Sequence, residues 1–255
     1  MKIFKEIFGR IWALWALLMF VGTMLIFLIP FFIFIYKKKD PGKAYRLIAW
    51  SRVWINIFLV LVGCPLRVKG KENFKPGENY IVLCNHNSLM DVPISSPSIP
   101  GGNKTIAKIE MSRIPIFGPL YRSGSVLVDR KSDASRKESI VKMREVLEMG
   151  LHMCIYPEGT RNKSKDPMKT FHRGAFSLSL DSGKRIIPGV IFNTKRVLPA
   201  TKTFYCIPHH LAIHFLPPVD ILPGDTVDSL RERVFGIMTK YYVENEERVW
   251  RGREA

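Results

Sequence analysis

The chain has 255 residues and a net charge of +17, from 39 Lys+Arg against 22 Asp+Glu. This length suits one catalytic-sized domain plus an appendage, and the charge calls for a polyanionic partner: nucleic acid, an anionic membrane surface or an acidic carrier protein. Cys64, Cys84, Cys154 and Cys206 are widely spaced with no C-x-x-C pair. That spacing argues against a zinc site and for reduced core residues in a cytosol-facing protein.

The first element is apolar. Residues 11–36 carry no charged side chain; as a helix they would measure about 39 Å against a hydrocarbon core of roughly 30 Å. The run is too long for a signal peptide, and no small-residue cleavage site follows it. Trp12 and Trp15 near one end and Tyr36 near the other read as interfacial anchors. Lys2, Lys5 and Arg10 precede the run and Lys37, Lys38 and Lys39 follow it, so the positive-inside rule gives no orientation for a single span. A second apolar stretch, Trp54 to Cys64, follows a basic lead-in with Lys43, Arg46 and Arg52. Two arrangements fit: one spanning helix plus an interfacial helix, or a helical pair dipping into one leaflet. The symmetric basic flanks favour the pair. Residues 1–64 are therefore read as membrane-anchoring helices. The aromatic-rich apolar run disfavours nucleic acid as the partner and favours anionic membrane lipids, with residues 65–255 facing the cytosol from a cell membrane.

Beyond Pro65, short apolar runs alternate with amphipathic ones. Leu66–Val68, Tyr80–Cys84, Thr105–Ile109, Ser125–Val128, Met153–Tyr156 and Ile186–Phe192 read as strands, and Leu211–Phe215 as an added edge strand. Asp133–Met149 reads as a helix, with Ile140, Met143, Val146 and Leu147 on one face and Ser132 or Asp133 as cap. Gly174–Leu180 and Asp225–Arg248 are further helices. His209, His210 and His214 are read as structural or surface residues. The alternation predicts an α/β domain: a mixed, largely parallel sheet flanked by helices.

The chemistry gathers where strands end. His86 and Asp91 follow the buried run Tyr80–Cys84 in Asn85-His86-Asn87-Ser88-Leu89-Met90-Asp91. A carboxylate five positions from a histidine can accept its Nδ1 proton across a tight turn, which leaves Nε2 free to deprotonate an alcohol. No G-x-S-x-G elbow is present, so the hydroxyl must come from the substrate. Three basic sites also follow strands: Lys108, Asp129-Arg130 and Thr160-Arg161. In a parallel sheet such ends face one crevice. An arginine fork suits a phosphate, Gly159 permits close backbone approach and Thr160 adds a hydroxyl. The bland alternative is a local Glu158–Arg161 ion pair.

Four blocks in order resemble the 1-acylglycerol-3-phosphate acyltransferases. Asn85-His86 to Asp91 resembles the H-x4-D catalytic block, Ser88 included, and Gly124 to Arg130 resembles the second block. Tyr156-Pro157-Glu158-Gly159-Thr160-Arg161 is similar to F-P-E-G-T-R, and Ile186-Ile187-Pro188-Gly189-Val190 to I-I-P-V. Lys108 with Pro115 to Gly118 is similar to the intervening segment. Three departures stand out: tyrosine replaces phenylalanine at 156, Phe171-His172-Arg173-Gly174 replaces F-K-x-G, and Gly189 is inserted. The resemblance implies His86 and Asp91 as catalytic residues. It implies Arg130, Glu158, Gly159, Thr160, Arg161 and Lys108 as glycerol phosphate ligands. It further implies phosphatidic acid synthesis from lysophosphatidic acid, with acyl-CoA or acyl carrier protein as thioester cosubstrate and no cofactor or metal. A related acceptor such as lyso-ornithine lipid, and a non-catalytic anionic-membrane scaffold, are the alternative readings.

Overall fold

The computed structural model describes residues 2–115, 117–129 and 131–252, with the side chain of residue 2 left aside. Helix α1 (Lys2–Pro30) runs into a π-type turn (Phe31–Ile35) and packs antiparallel against α2 (Gly42–Leu61). Both helices are long and apolar enough to cross a membrane. Their pairing is tied by indole donors: Trp12 Nε1 to the Val62 carbonyl (3.1 Å), Trp15 Nε1 to Leu61 (3.0 Å), Trp50 Nε1 to Phe27 (3.1 Å), and Trp54 Nε1 to Thr23 Oγ1 (3.0 Å). Each indole spends its one donor on the facing helix or its carboxyl end, and Trp54 is buried in the seam. Outside this seam α1 leaves a broad apolar face uncovered, with Ile26, Ile29 and Ile33 each about two-thirds exposed.

The rest is a seven-stranded sheet in the order β1-β7-β6-β2-β5-β3-β4. The strands are β1 (Leu66–Lys69), β2 (Ile81–Cys84), β3 (Asn103–Lys108), β4 (Ser125–Val128), β5 (His152–Ile155), β6 (Ile186–Phe192) and β7 (Leu211–Phe215). Five neighbouring pairs are parallel, and only β6–β7 is antiparallel. This is the mixed, largely parallel α/β sheet the sequence predicts. One placement differs. Leu211–Phe215, expected at an edge, is interior, bonded to β1 on one side and β6 on the other. All five of its residues are buried, so its burial is continuous rather than alternating, with His214 as its one polar side chain.

Strand side chains alternate between two cores. Val82, Cys84, Cys154, Ile187 and Ile191 face the layer formed by α1, α2 and α3 (Asp91–Ser98). Ile81, Leu83, Met153, Ile155 and Val190 face α5 (Asp133–Glu148), α6 (Gly174–Ser182) and α8 (Val227–Trp250). The three helices predicted beyond residue 130 appear within two residues of their expected limits, whereas α1 begins nine residues before the uncharged run and α2 twelve before Trp54, both reaching into charged sequence; Ser132 caps α5 by accepting from the Ser135 amide. Two short helices carried no strong periodic signal: α4 (Gly118–Gly124) and α7 (Thr194–Val197). All four cysteines are free and buried. His214 is buried with Nδ1 3.0 Å from the Tyr241 hydroxyl, and His209 stacks on Trp250.

The antiparallel seam sets what lies at the functional edge. β2, β5, β3 and β4 all end there, and so does β6; β1 and β7 run the opposite way and begin there. The end of α2, the start of β1 and the 193–210 connection between β6 and β7 therefore share an edge with His86. That connection is a strap. The Ser88 hydroxyl donates to the Leu198 carbonyl (2.7 Å), the Cys206 amide donates to Gly9 (3.0 Å), and Lys202 pairs with Glu6 of α1.

Candidate active site

His86 lies two residues past β2, held from both sides. Asn85 is fully buried and forms a two-way amide link with Ile191 of β6, donating to its carbonyl at 3.0 Å and accepting from its amide at 2.7 Å. On the β5 side, the His86 amide donates to Glu158 Oε1 (2.7 Å) and the His86 carbonyl accepts from the Asn162 amide (2.6 Å). The imidazole can rotate little on so constrained a backbone.

The dyad forms as its spacing predicts. His86 Nδ1 is 2.8 Å from Asp91 Oδ2, and Asp91 is fully buried while the His86 side chain is 19% exposed. Asp91 opens α3, and Oδ2 also accepts from the amides of Asn87 (2.6 Å) and Ser88 (2.7 Å). A carboxylate with three donors is an acceptor, so Nδ1 carries the ring proton and Nε2 is left basic. The Tyr156 ring packs on the imidazole at 4.6 Å between centroids, and its hydroxyl lies 2.6 Å from Ser95 Oγ of α3. The tyrosine in place of phenylalanine thus ties the end of β5 to the helix that carries Asp91. Burial raises this phenol well above its ordinary pKa, which keeps it protonated as a hydrogen-bonding group.

The remaining site candidates separate. Glu158, expected among the phosphate ligands, is buried with both oxygens on backbone amides: Oε1 on His86 and Oε2 on Lys169 (3.0 Å). Its work in the structure is to join the two loops. Burial raises its carboxyl above the usual range, and the two amide donors pull it back down. No Glu158–Arg161 ion pair is present among the described residues. Gly159 adopts a positive φ of 69°, and a Cβ there would sit 2.8 Å from His172 Cδ2. A side chain is therefore barred on both counts. Thr160 is exposed and its hydroxyl accepts from Lys169 Nζ (2.9 Å). Arg161 is half-buried and adjoins Asn162, the residue bonded to the His86 carbonyl. Lys108 is exposed at the end of β3, two strands from β2. Arg130 lies outside the described residues. The inserted Gly189 sits in regular strand, paired with Cys84 and Phe215; a Cβ there would meet Cys84 Sγ at 2.9 Å and the Phe215 ring at 3.3 Å. It answers to packing between three strands.

Residues 65–192, which contain the dyad and the Glu158 loop, match the profile of the acyltransferase family. The chain belongs to the acyltransferase family. Among similar proteins, the 1-acyl-sn-glycerol-3-phosphate acyltransferase of Borreliella burgdorferi is 31% identical over 67% of this chain and 68% of its own length. That of Cocos nucifera is 32% identical over 62% of this chain, which spans only 50% of the relative. The crystal structure of the 1-acyl-sn-glycerophosphate (LPA) acyltransferase PlsC from Thermotoga maritima superposes with a TM-score of 0.74 at 21% identity, covering 96% of this chain and 97% of that one. That superposition speaks for the fold, helical pair included. In this acyltransferase, as in its sequence, the chemistry-bearing residues lie on the edge where the parallel strands end.

An apolar cleft lies between α2, α3 and α4, its α3 wall starting at Val92, next to Asp91 in the chain. Val92, Pro93 and Ser96 of α3 form one wall, Trp54 of α2 another, and Phe117 and Leu120 a third. The helix that presents Asp91 thus also walls an apolar cleft.

Proposed function

We propose that this acyltransferase moves a fatty acyl group from a thioester, acyl-CoA or acyl carrier protein, to the sn-2 hydroxyl of 1-acylglycerol-3-phosphate, giving phosphatidic acid. The observation that carries the reading is the 2.8 Å contact between His86 Nδ1 and the buried Asp91, with the ring partly exposed. The names of the relatives support the acceptor.

In this scheme the acceptor hydroxyl gives its proton to His86 Nε2 and its oxygen attacks the thioester carbonyl. The tetrahedral oxyanion collapses, the C–S bond breaks, and the departing sulfur takes the proton from the imidazolium as a free thiol. At the start of α3 the Val92 amide is suited to the oxyanion, the Asp91 and Ile94 amides being bonded already and Pro93 having none. Asp91 stabilises the imidazolium, and Glu158 acts as a positioning residue through the His86 amide. Arg161, Arg130, Gly159, Thr160 and Lys108 hold the glycerol phosphate, and the apolar cleft takes an acyl chain. No cofactor or metal enters any of these steps. Residues 1–64 anchor the enzyme in one leaflet of the cell membrane, and residues 65–255 carry the catalytic domain on the cytosolic side. Anionic lipids meet the basic surface there.

The test is thiol release by the purified chain with lysophosphatidate and either donor, with phosphatidic acid identified by mass. Release that depends on His86 supports the reading. Release only with another lyso-lipid, lyso-ornithine lipid included, keeps the chemistry and replaces the acceptor. Anionic-vesicle binding with no release from any thioester would leave a scaffold.

A further inference from the structure

A second cleft lies between α2, α3 and β1; neither dyad residue lines it, and it shares only Ile55 and Pro97 with the first cleft. Its floor is apolar, with Leu66, Val68 and Ile94, and its polar rim is Arg52, Asn56 and Lys71. No carboxylate lines it, and among the described residues neither Arg52 nor Lys71 has an acidic partner. In a chain where many basic side chains are paired, two cations facing one acid-free cleft call for an anion from outside.

Each rim group is held in place. Arg52 donates Nε to the Pro97 carbonyl (2.8 Å) and Nη2 to Ile99 (3.2 Å) at the carboxyl end of α3. An arginine has five N–H donors, so part of the fork remains available. Lys71 follows Gly70, whose φ is 78° and whose Cβ would lie 1.8 Å from the Phe215 carbonyl oxygen. Asn73 Nδ2 bonds the same oxygen at 2.8 Å, so the turn carrying Lys71 is pinned to β7. Asn56 stands one turn after Arg52 on α2, and Val53, Ile57 and Val60 beside it are exposed. An acyl chain lying along that flank would bring a headgroup to the rim. Its α3 wall runs from Ile94 to Ser98, the last lying about 10 Å from Asp91 along the helix axis.

We propose that this cleft is a second phosphate-binding site, for the anionic phosphate of a membrane phospholipid, separate from the acceptor site. The full chain in neutral detergent is titrated with dihexanoyl-phosphatidylglycerol, dihexanoylglycerol and inorganic phosphate, while amide hydrogen exchange is followed over residues 66–73 and 94–99. Expected is saturable protection of both segments by the phospholipid, retained in His86→Ala and weakened about ten- to a hundred-fold by Lys71→Glu, the loss of a charge-assisted bond worth roughly 1.5–3 kcal/mol. Asn56→Leu should weaken it less. Lys71→Gln serves if the charge reversal disturbs folding. Equal protection by inorganic phosphate keeps the site and makes free phosphate its ligand. Protection by dihexanoylglycerol alone, protection unchanged in the Lys71 variants, or none with any probe overturns the proposal.

Discussion

The loop after β2 and the helical pair are built on opposite principles. The loop is polar and largely buried, and its geometry comes from hydrogen bonds: three donors on Asp91 Oδ2, two on Glu158, and a two-way link from Asn85. The helical pair is apolar both inside and out, with indole donors fixing its seam while much of its surface stays uncovered. In the loop each bond is specific and replaceable only at high cost. On the helix face many side chains share one generic task. On our reading the first region sets where a proton goes and the second sets which phase the enzyme occupies.

The comparison can be broken most sharply at His86. His86→Ala should lower thiol release by about 10²–10⁴-fold with little change in melting temperature, because the ring is partly exposed and its backbone bonds survive. A folded variant with near wild-type turnover would remove it from the chemistry. Asp91→Ala should fail on both counts, losing turnover and at least about 2 kcal/mol of stability by leaving two buried amides and an imidazole unsatisfied; chemical denaturation reads the second effect. The helix face should behave oppositely. Replacing Ile26, Ile29 and Ile33 with Asp should abolish vesicle flotation while turnover on micellar short-chain substrate persists.

A fourth prediction concerns acid. Burial lowers the pKa of His152, at the start of β5, to about 4, and its Nδ1 accepts from the Tyr80 amide at 3.1 Å. The folded state therefore favours the neutral ring. Its contribution is complete above the unfolded pKa of about 6.5 and is lost as pH falls toward 4, by about 3 kcal/mol in all. Thermal melts between pH 7 and 4 should show this slope, and His152→Gln should flatten it. The smallest effect belongs to Lys108→Ala. Its exposed position predicts a stability change within about 0.5 kcal/mol, so any activity loss would report ligand contact alone.

Much of this was legible in the chain. Apolar runs marked the strands, the H-x4-D spacing gave the dyad, and Ser132 announced its helix. What escaped was non-local. Leu211–Phe215 is apolar at four of its five positions, which is compatible with an interior strand, yet its insertion between β1 and β6 depends on how the 193–210 connection folds back. Glu158 was read by its charge and neighbours, whereas its partners are backbone amides 72 and 11 residues away, which leave no periodic trace. Tyr156 was noticed as a departure, and only its contact with Ser95 explains what the extra hydroxyl does.

The strap between β6 and β7 touches both regions at once. It accepts a hydroxyl bond from Ser88 in the catalytic turn and donates an amide to Gly9 in the first helix, whose lack of a Cβ leaves room for Tyr205. Displacing the amino terminus therefore pulls on the segment that braces the histidine. One loop thereby couples the position of the first helix to that of the turn carrying His86, so a strain applied at either end is felt at the other.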